Sequence, residues 1–267
     1  MLALTIAATV RISVFGLFHP ALLEVQPARG SVLVIESNGR EQVLEGAGTA
    51  RLRSPAHVSG RDGAEAAFIL SVPGKIRREF HGRLEISKQG GSLLAMVEMD
   101  LETAVASIVA AEGADATPIE ARKAQAVVAR SFLIAARGRH AGYDFCDTTH
   151  CQFLRSPPVE SNGAFQAASQ TRGLALVYND RVIAALYSAD CGGHTRTLDQ
   201  AGWGGGDSSG YPYFGVECPV HGTVSGHGVG MCQTGAAEMA RRGAGFREIL
   251  SRYFPAATIA SLGHLAP

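Results

Sequence analysis

The sequence predicts an α+β fold, with a β-rich N-terminal portion over residues 1–95 and a second lobe over 96–267 built on a buried central helix beside a cleft. Three observations carry this. From Thr9 to about Ala95, apolar runs such as VRISVFGLF, SVLVIES, AAFILSV, IRREFHGRLEIS and SLLAMVEM alternate with the turn strings SNGR, RSPAHVSGRDG, VPGK and KQGG. The stretch from Val105 to Leu133 then changes to a helical period. Further on, LALVY and VIAALYS flank Asn179-Asp180, a turn pair suited to a hairpin.

The N-terminal runs are rich in β-formers and short, as strands between turns should be. SVLVIES is apolar at successive positions (Val32 to Ile35), which points to partial burial on both of its faces. In the helical stretch, Leu101, Val105, Ile108 and Glu112 recur at steps of four, three and four and share one face. Glu112 thus leaves a helix end on the apolar side, where a carboxylate is an ion-pair member or a catalytic acid. A second helix opens with TPIE: Thr117 suits the N-cap, Pro118 the first helical position, and Glu120 completes a capping box. To about Arg137 this helix is Ala-rich and apolar nearly all round, hence buried. Lys123, Gln125 and Arg130 are its polar exceptions, and Arg130 is the hardest to leave unpaired there. FQAASQTRG, AAEMARRG and FREILSRYF read as further short helices, the last two broken at Gly243 and stopped by Pro255. WGGGDSSGYPY, with the single tryptophan Trp203, reads as a flexible loop.

Composition narrows the function. The 267 residues are 46% hydrophobic and 18% charged, so the chain is globular and long enough for a sizeable core. With 24 basic and 24 acidic residues the net charge is zero, which argues against a nucleic-acid partner. No apolar run reaches the length of a membrane span. The opening MLALTIAATVRISVFGLFHP has no basic n-region and is interrupted by Arg11, so it is no clear signal peptide, and VRISVFGLF reads as the first strand. Five cysteines are too few and too irregular for a disulfide scaffold. Among them, Cys146 and Cys151 fall in one polar loop with His140 and His150. These are the residue types of a tetrahedral zinc site, although the spacing is not the common CxxC form. A disulfide or two quiet thiols are the alternatives there. Cys191, Cys218 and Cys232 are scattered, and Cys218 could pair with Cys191 or join a second metal site.

Glu112, a short turn and PIEARKAQAVVARSFL together resemble the core signature of the stage II sporulation protein D family (SpoIID/LytB). CDTTHCQ, YSADCGGHT and GHGVGMCQTGA resemble further blocks of that family in the same order, and the likeness is densest from about Leu93 to Pro255. Two departures stand out: Gly113-Ala114 replaces the usual Met-Pro after the glutamate, and Cys232 stands where the family usually has serine. The resemblance implies a peptidoglycan lytic transglycosylase in which Glu112 is first acid and then base, leaving anhydro-muramic ends. The alternative it implies is a non-catalytic glycan-binding module that modulates a cell-wall amidase. Either way the partners are peptidoglycan glycan strands, with an amidase as a further one, and the location is the cell envelope. A wall-acting protein without a clear leader would have a truncated or misassigned start. The resemblance also implies zinc in the His140, Cys146, His150 and Cys151 loop. Four protein ligands leave no open position, so that zinc would be structural, and none is required for the chemistry. In the Gly-rich strings, Tyr187, Ser188, His227 and Gln233 can hydrogen-bond a glycan. Arg130 would bind a sugar hydroxyl or lactyl carboxylate, hold Glu112, or pair within the core.

Overall fold

The computed structural model describes residues 9–114, 116–203 and 210–264. The opening eight residues, the turn acid Asp115 and most of the Gly-rich string after Trp203 lie outside them. The chain forms two compact units, and their division falls within one helix. Of the described residues, one unit comprises those up to Ile108 with Gly138–Pro157, and the other Val109–Arg137 with those from Pro158 onward. The α+β class is as the sequence predicts.

The first unit is built of short strands around two long ones, the 14-residue Ile76–Gln89 and the nine-residue Ser92–Asp100. In chain order the strands are β1 (Thr9–Val14), β2 (Leu23–Pro27), β3 (Leu33–Ser37), β4 (Arg40–Leu44), β5 (Ala50–Leu52), β6 (Ala56–Ser59), β7 (Ala66–Val72), β8 (Ile76–Gln89) and β9 (Ser92–Asp100). VRISVFGLF is a strand only as far as Val14: Phe15 turns into the left-handed region and Gly16–Phe18 forms a single 3-10 turn. The sheet runs through β1, β9, β8, β6, β3 and β4, while β7 and β2 branch from β8. The branch point is Gly82. There β8 stops pairing with β7 and takes up β9 and β6, and a Cβ on Gly82 (φ 151°) would lie 2.1 Å from the Glu98 carbonyl oxygen. The inward residues Val10, Ile12, Leu23, Val25, Leu33, Phe68, Phe80, Leu84 and Val97 are buried, following the two-residue period. At the end of β9, helix α1 (Leu101–Glu112) begins where Asp100 Oδ1 accepts from the Thr103 N–H at 2.9 Å. Leu101, Val105 and Ile108 are buried together, as their spacing requires.

The second unit is organised around α2 (Ile119–Ala135), in which twelve residues from Ala121 to Leu133 are buried. Its start differs from the expected capping box. Pro118 occupies the N-cap with no side-chain bond, and Thr117 is displaced into the turn. Glu120 reaches away from the cap, accepting from Lys123 Nζ at 2.6 Å and from the Phe246 N–H at 2.8 Å. Its carboxylate therefore serves the first turn of a different helix. Returning to the first unit, β10 (Phe145–Cys146) pairs in parallel with β1. Packed with α2 are α3 (Gly163–Gln170), with Asn162 as its N-cap, and β11 (Leu174–Tyr178).

Asn179 and Asp180, both at positive φ, make the expected tight turn into β12 (Arg181–Val182). The hairpin is shorter than VIAALYS suggests. After two residues the chain leaves β11, and β13 (Tyr187–Ser188) pairs in parallel with β14 (Met231–Cys232). α4 (Gln233–Arg241) and α5 (Phe246–Tyr253) follow, and β15 (Thr258–Ser261) closes on β11. Among the described residues no helix is long and apolar enough to cross a membrane.

Candidate active site and metal-ligand cluster

Within the helical unit, three segments converge on a cleft of about 270 Å³, at the small end of ligand-binding clefts. The last turn of α1 contributes Glu112, the buried face of α2 contributes Ala121 and Gln125, and α4 contributes Gln233 and Thr234 from its start and Arg241 from its end. Among the described residues lining it, Glu112 is the one carboxylate. It is held from two sides. The Tyr187 phenol hydrogen-bonds its carboxylate, and Gln233 Nε2 donates to its backbone carbonyl at 3.1 Å. Burial, then the Glu112 charge, push the Tyr187 phenol well above its ordinary range, so it stays protonated and acts as a donor. β13–β14 pairing explains how Tyr187 gets there: it sits opposite Met231, itself a lining residue, one step before Ser188 meets Cys232.

Gln125 stands beside this pair. It is 2% exposed and its side chain lies against the Tyr187 phenol, with no close hydrogen bond from Nε2 among the described residues. A buried amide donor without a close bond is costly in a closed core and useful at the wall of a ligand cleft. The turn after Glu112 is fixed by Arg122, whose Nη2 donates to the Ala114 carbonyl at 2.9 Å and whose Nε donates to that of Thr117 at 3.1 Å.

The remaining predicted contacts fall in different places. Ser188 is buried with its Oγ unpartnered and is not among the cleft-lining residues. His227 is half-buried, and desolvation holds its imidazole below the ordinary range. Its Nδ1 accepts from the Val229 N–H at 3.0 Å, and its ring packs on Trp203 with centroids 4.9 Å apart. Arg130 is fully buried and away from the cleft wall. Its guanidinium donates to the carbonyls of Leu174 (3.1 Å), Ala168 (3.2 Å) and Ala126 (3.4 Å), tying α2 to β11 and α3.

In the β-rich unit, the four residues of the polar loop come together. His140, Cys146, His150 and Cys151 offer ligand atoms that all lie within 4.8 Å of one another. His140 Nε2 is 3.2 Å from Cys151 Sγ, and His150 Nδ1 is 3.6 Å from Cys151 Sγ and 3.8 Å from Cys146 Sγ. The tight turn that lets neighbours His150 and Cys151 share a centre is closed by the Cys151 N–H donating to the Thr148 carbonyl at 3.0 Å. Cys146 is anchored through β10, and next to it Asp147 forms a buried 2.8 Å ion pair with Arg78. Both cysteines are free thiols. Two sulfurs and two ring nitrogens at such separations fit around one tetrahedral zinc, whose bonds would be about 2.0–2.3 Å long.

Residues 89–178 match the family model described as stage II sporulation protein, SpoIID. Over this segment the chain is similar to the SpoIID family. An uncharacterized protein of Brachyspira hyodysenteriae is 30% identical over 149 residues, which is 55% of this chain and 37% of that protein. The chain thus spans little more than a third of this relative's length. The SpoIID segment contains Glu112, Gln125, Arg130 and the whole His/Cys cluster, whereas Tyr187, Ser188, His227 and Gln233 lie beyond it.

Four residues escaped sequence reasoning as site components: Gln125, Arg122, Thr234 and Arg241. Gln125 carried a signal, being a polar residue on an otherwise apolar helix. Arg122, Thr234 and Arg241 carried none, since each is an ordinary surface type and only the tertiary fold turns it inward or onto the cleft.

Proposed function

We propose that the chain cleaves peptidoglycan glycan strands by a lytic transglycosylase mechanism, with Glu112 as general acid and then general base. The observation that supports it is a cleft-lining carboxylate, the one such group among the described residues, bonded by a protonated phenol and flanked by a buried amide. A two-carboxylate hydrolase needs a second acid across the scissile bond. A single acid suffices when the sugar brings its own nucleophile. In the first step the carbonyl oxygen of the muramic N-acetyl group attacks the anomeric carbon while the Glu112 carboxyl protonates the departing glycosidic oxygen. In the second, the 6-hydroxyl attacks the same carbon and expels the acyl oxygen, and Glu112 takes the hydroxyl proton. The products are a free hydroxyl end and a 1,6-anhydro sugar. No water is consumed, and Glu112 returns to its starting state.

The side chains present suit this sequence. Tyr187 orients the carboxylate, Gln125 and Gln233 offer amides to sugar or acetamido groups, and Arg241 brings a cation to the rim, suited to a lactyl carboxylate. Trp203, 44% exposed on His227, offers an aromatic face for a sugar ring. His140, Cys146, His150 and Cys151 would hold a structural zinc, whose contribution is to fix the loop and not to react.

The test is Glu112→Gln on purified glycan strands, with mass spectrometry of the products. Wild type should give anhydro-muramic ends, and the variant should keep its fold and lose at least about a hundredfold in rate. Equal turnover by both would remove the assignment. Glycan binding without turnover by wild type would instead favour the binding module that modulates an amidase.

A further inference from the structure

Cys191 and Cys218 from two loops and Cys232 from the end of β14 meet in the core of the helical unit. Their sulfurs all lie within 4.8 Å of one another, and the residues are 3%, 4% and 0% exposed. All three are free. An apolar core has no need of three converging sulfurs, and a disulfide would use only two. The backbone is also arranged around the sulfurs. The Gly235 N–H donates to Cys232 Sγ at 3.4 Å, and the N–H groups of Gly193 and Val220 face Cys191 and Cys218. At least one donor per sulfur is the pattern that supports thiolate ligands, because N–H groups stabilise sulfur charge buried away from water.

The loops are locked in this position. Cys218 N donates to the Gly193 carbonyl at 2.9 Å, Thr234 binds the Ala189 carbonyl through both N–H and Oγ1, and Ser188 pairs with Cys232. Gly235 has to be glycine for the cluster to exist: a Cβ there would stand 2.3 Å from Cys218 Sγ and 2.0 Å from the Tyr253 hydroxyl. That hydroxyl, 3.2 Å from Cys218 Sγ, is an oxygen donor at the edge of the trio.

We propose that Cys191, Cys218 and Cys232 bind one soft, thiophilic cation, distinct from any ion in the His/Cys loop. Sulfurs this close can be spanned by a single ion at metal–thiolate distances of about 2.3 Å after small shifts. Thiolate ligands select zinc or monovalent copper over magnesium or calcium. Monovalent copper is satisfied by three sulfurs, whereas zinc would recruit the Tyr253 oxygen as a fourth donor. Each thiol gives up its proton to solvent on binding, so no oxidant is involved. The burial of all three ligands makes the site structural, pinning β14 and the start of α4, and it stands whether or not the protein cleaves glycan.

The test uses the full chain, reduced and metal-free, with Co²⁺ as spectroscopic probe. The Cys146→Ser/Cys151→Ser variant, which removes the loop thiols, should bind one Co²⁺ with sulfur-to-cobalt charge-transfer absorption. Zn²⁺ and Cu⁺ added in separate arms should each displace it, and the tighter competitor identifies the ion. Adding Cys232→Ser, which keeps an N-cap oxygen for α4, should weaken binding at least tenfold with unchanged circular dichroism. If the loop variant folds poorly, wild type should bind two equivalents and Cys232→Ser alone one. A folded loop variant without the charge-transfer band would overturn the proposal. So would a count of one free thiol instead of three in that variant, isolated without reductant and denatured, because the other two would be a disulfide.

Discussion

Tyr187 is the residue on which the reading of Glu112 turns. Its phenol is kept protonated by burial and by the carboxylate it bonds, so it donates to Glu112 throughout the physiological range. Removing a donor from a carboxylate raises the pKa of that acid. Tyr187→Phe should therefore move the carboxylate limb of the pH–rate profile upward and lower the plateau rate about tenfold, since the acid loses its fixed orientation. A profile identical to wild type would mean the bond plays no part in catalysis. Glu112 itself was legible in the sequence, because four helical positions on one face forced a carboxylate toward the apolar side. Its bond to Tyr187 was not. The two residues belong to separate elements, and only the β13–β14 pairing sets Tyr187 against the end of α1.

At the scale of elements, α2 shows what periodicity can and cannot tell. An Ala-rich helix with three polar exceptions predicted burial correctly, but the exceptions went to three different uses. Gln125 faces the cleft, Lys123 pairs with Glu120, and Arg130 stitches the helix to β11 and α3 through carbonyl oxygens. Arg130→Ala would leave those carbonyls short of a donor and open a cavity, at a cost of about 3 kcal/mol or more. Urea denaturation should show it, with Arg130→Lys recovering only part because an ammonium lacks the planar fork. A loss under 0.5 kcal/mol would contradict this structural role. Glu120 makes a pH-dependent link. Burial raises its pKa, but the Lys123 hydrogen bond, the Phe246 N–H and the Lys123 charge together bring it below the ordinary value. A carboxylate depressed in the folded state adds stability above its unfolded pKa and loses it as pH falls through the folded one. Glu120→Gln should thus lower the melting temperature by roughly 2 °C at pH 7 and by progressively less as the medium becomes acidic enough to protonate the carboxylate. A shift that stays the same on acidification would point to packing as the cause. Capping logic misassigned Glu120 because α5 arrives from far along the chain and offers its own first N–H.

Across the whole molecule, the cysteines divide into two sets that an odd count could not reveal. Two lie with histidines in the β-rich unit and three meet in the helical one. Fold class was legible because strand and helix periods occupy separate stretches; the return of Gly138–Pro157 to the sheet was not, since nothing in a polar loop says which core it will join. The loop set makes its own prediction. In the absence of a cation, burial pushes the Cys151 thiol up to about 11 and holds the His140 imidazole low. Metal binding must displace the thiol protons, so affinity should weaken as pH falls. Zinc bound in this loop, scored as the zinc lost on Cys146→Ser or Cys151→Ser, should be about one per chain at pH 7.5. Those variants should also melt several degrees lower, because a structural site contributes folding free energy. A chelator should lower the wild-type melting temperature at least to that level, with recovery on adding zinc and not magnesium. The rival outcome is a Cys146–Cys151 disulfide, for which the unreduced chain would show two fewer free thiols and respond to reductant instead of chelator. Elemental analysis of wild type beside Cys146→Ser, with thiol titration of the same unreduced samples, separates the two.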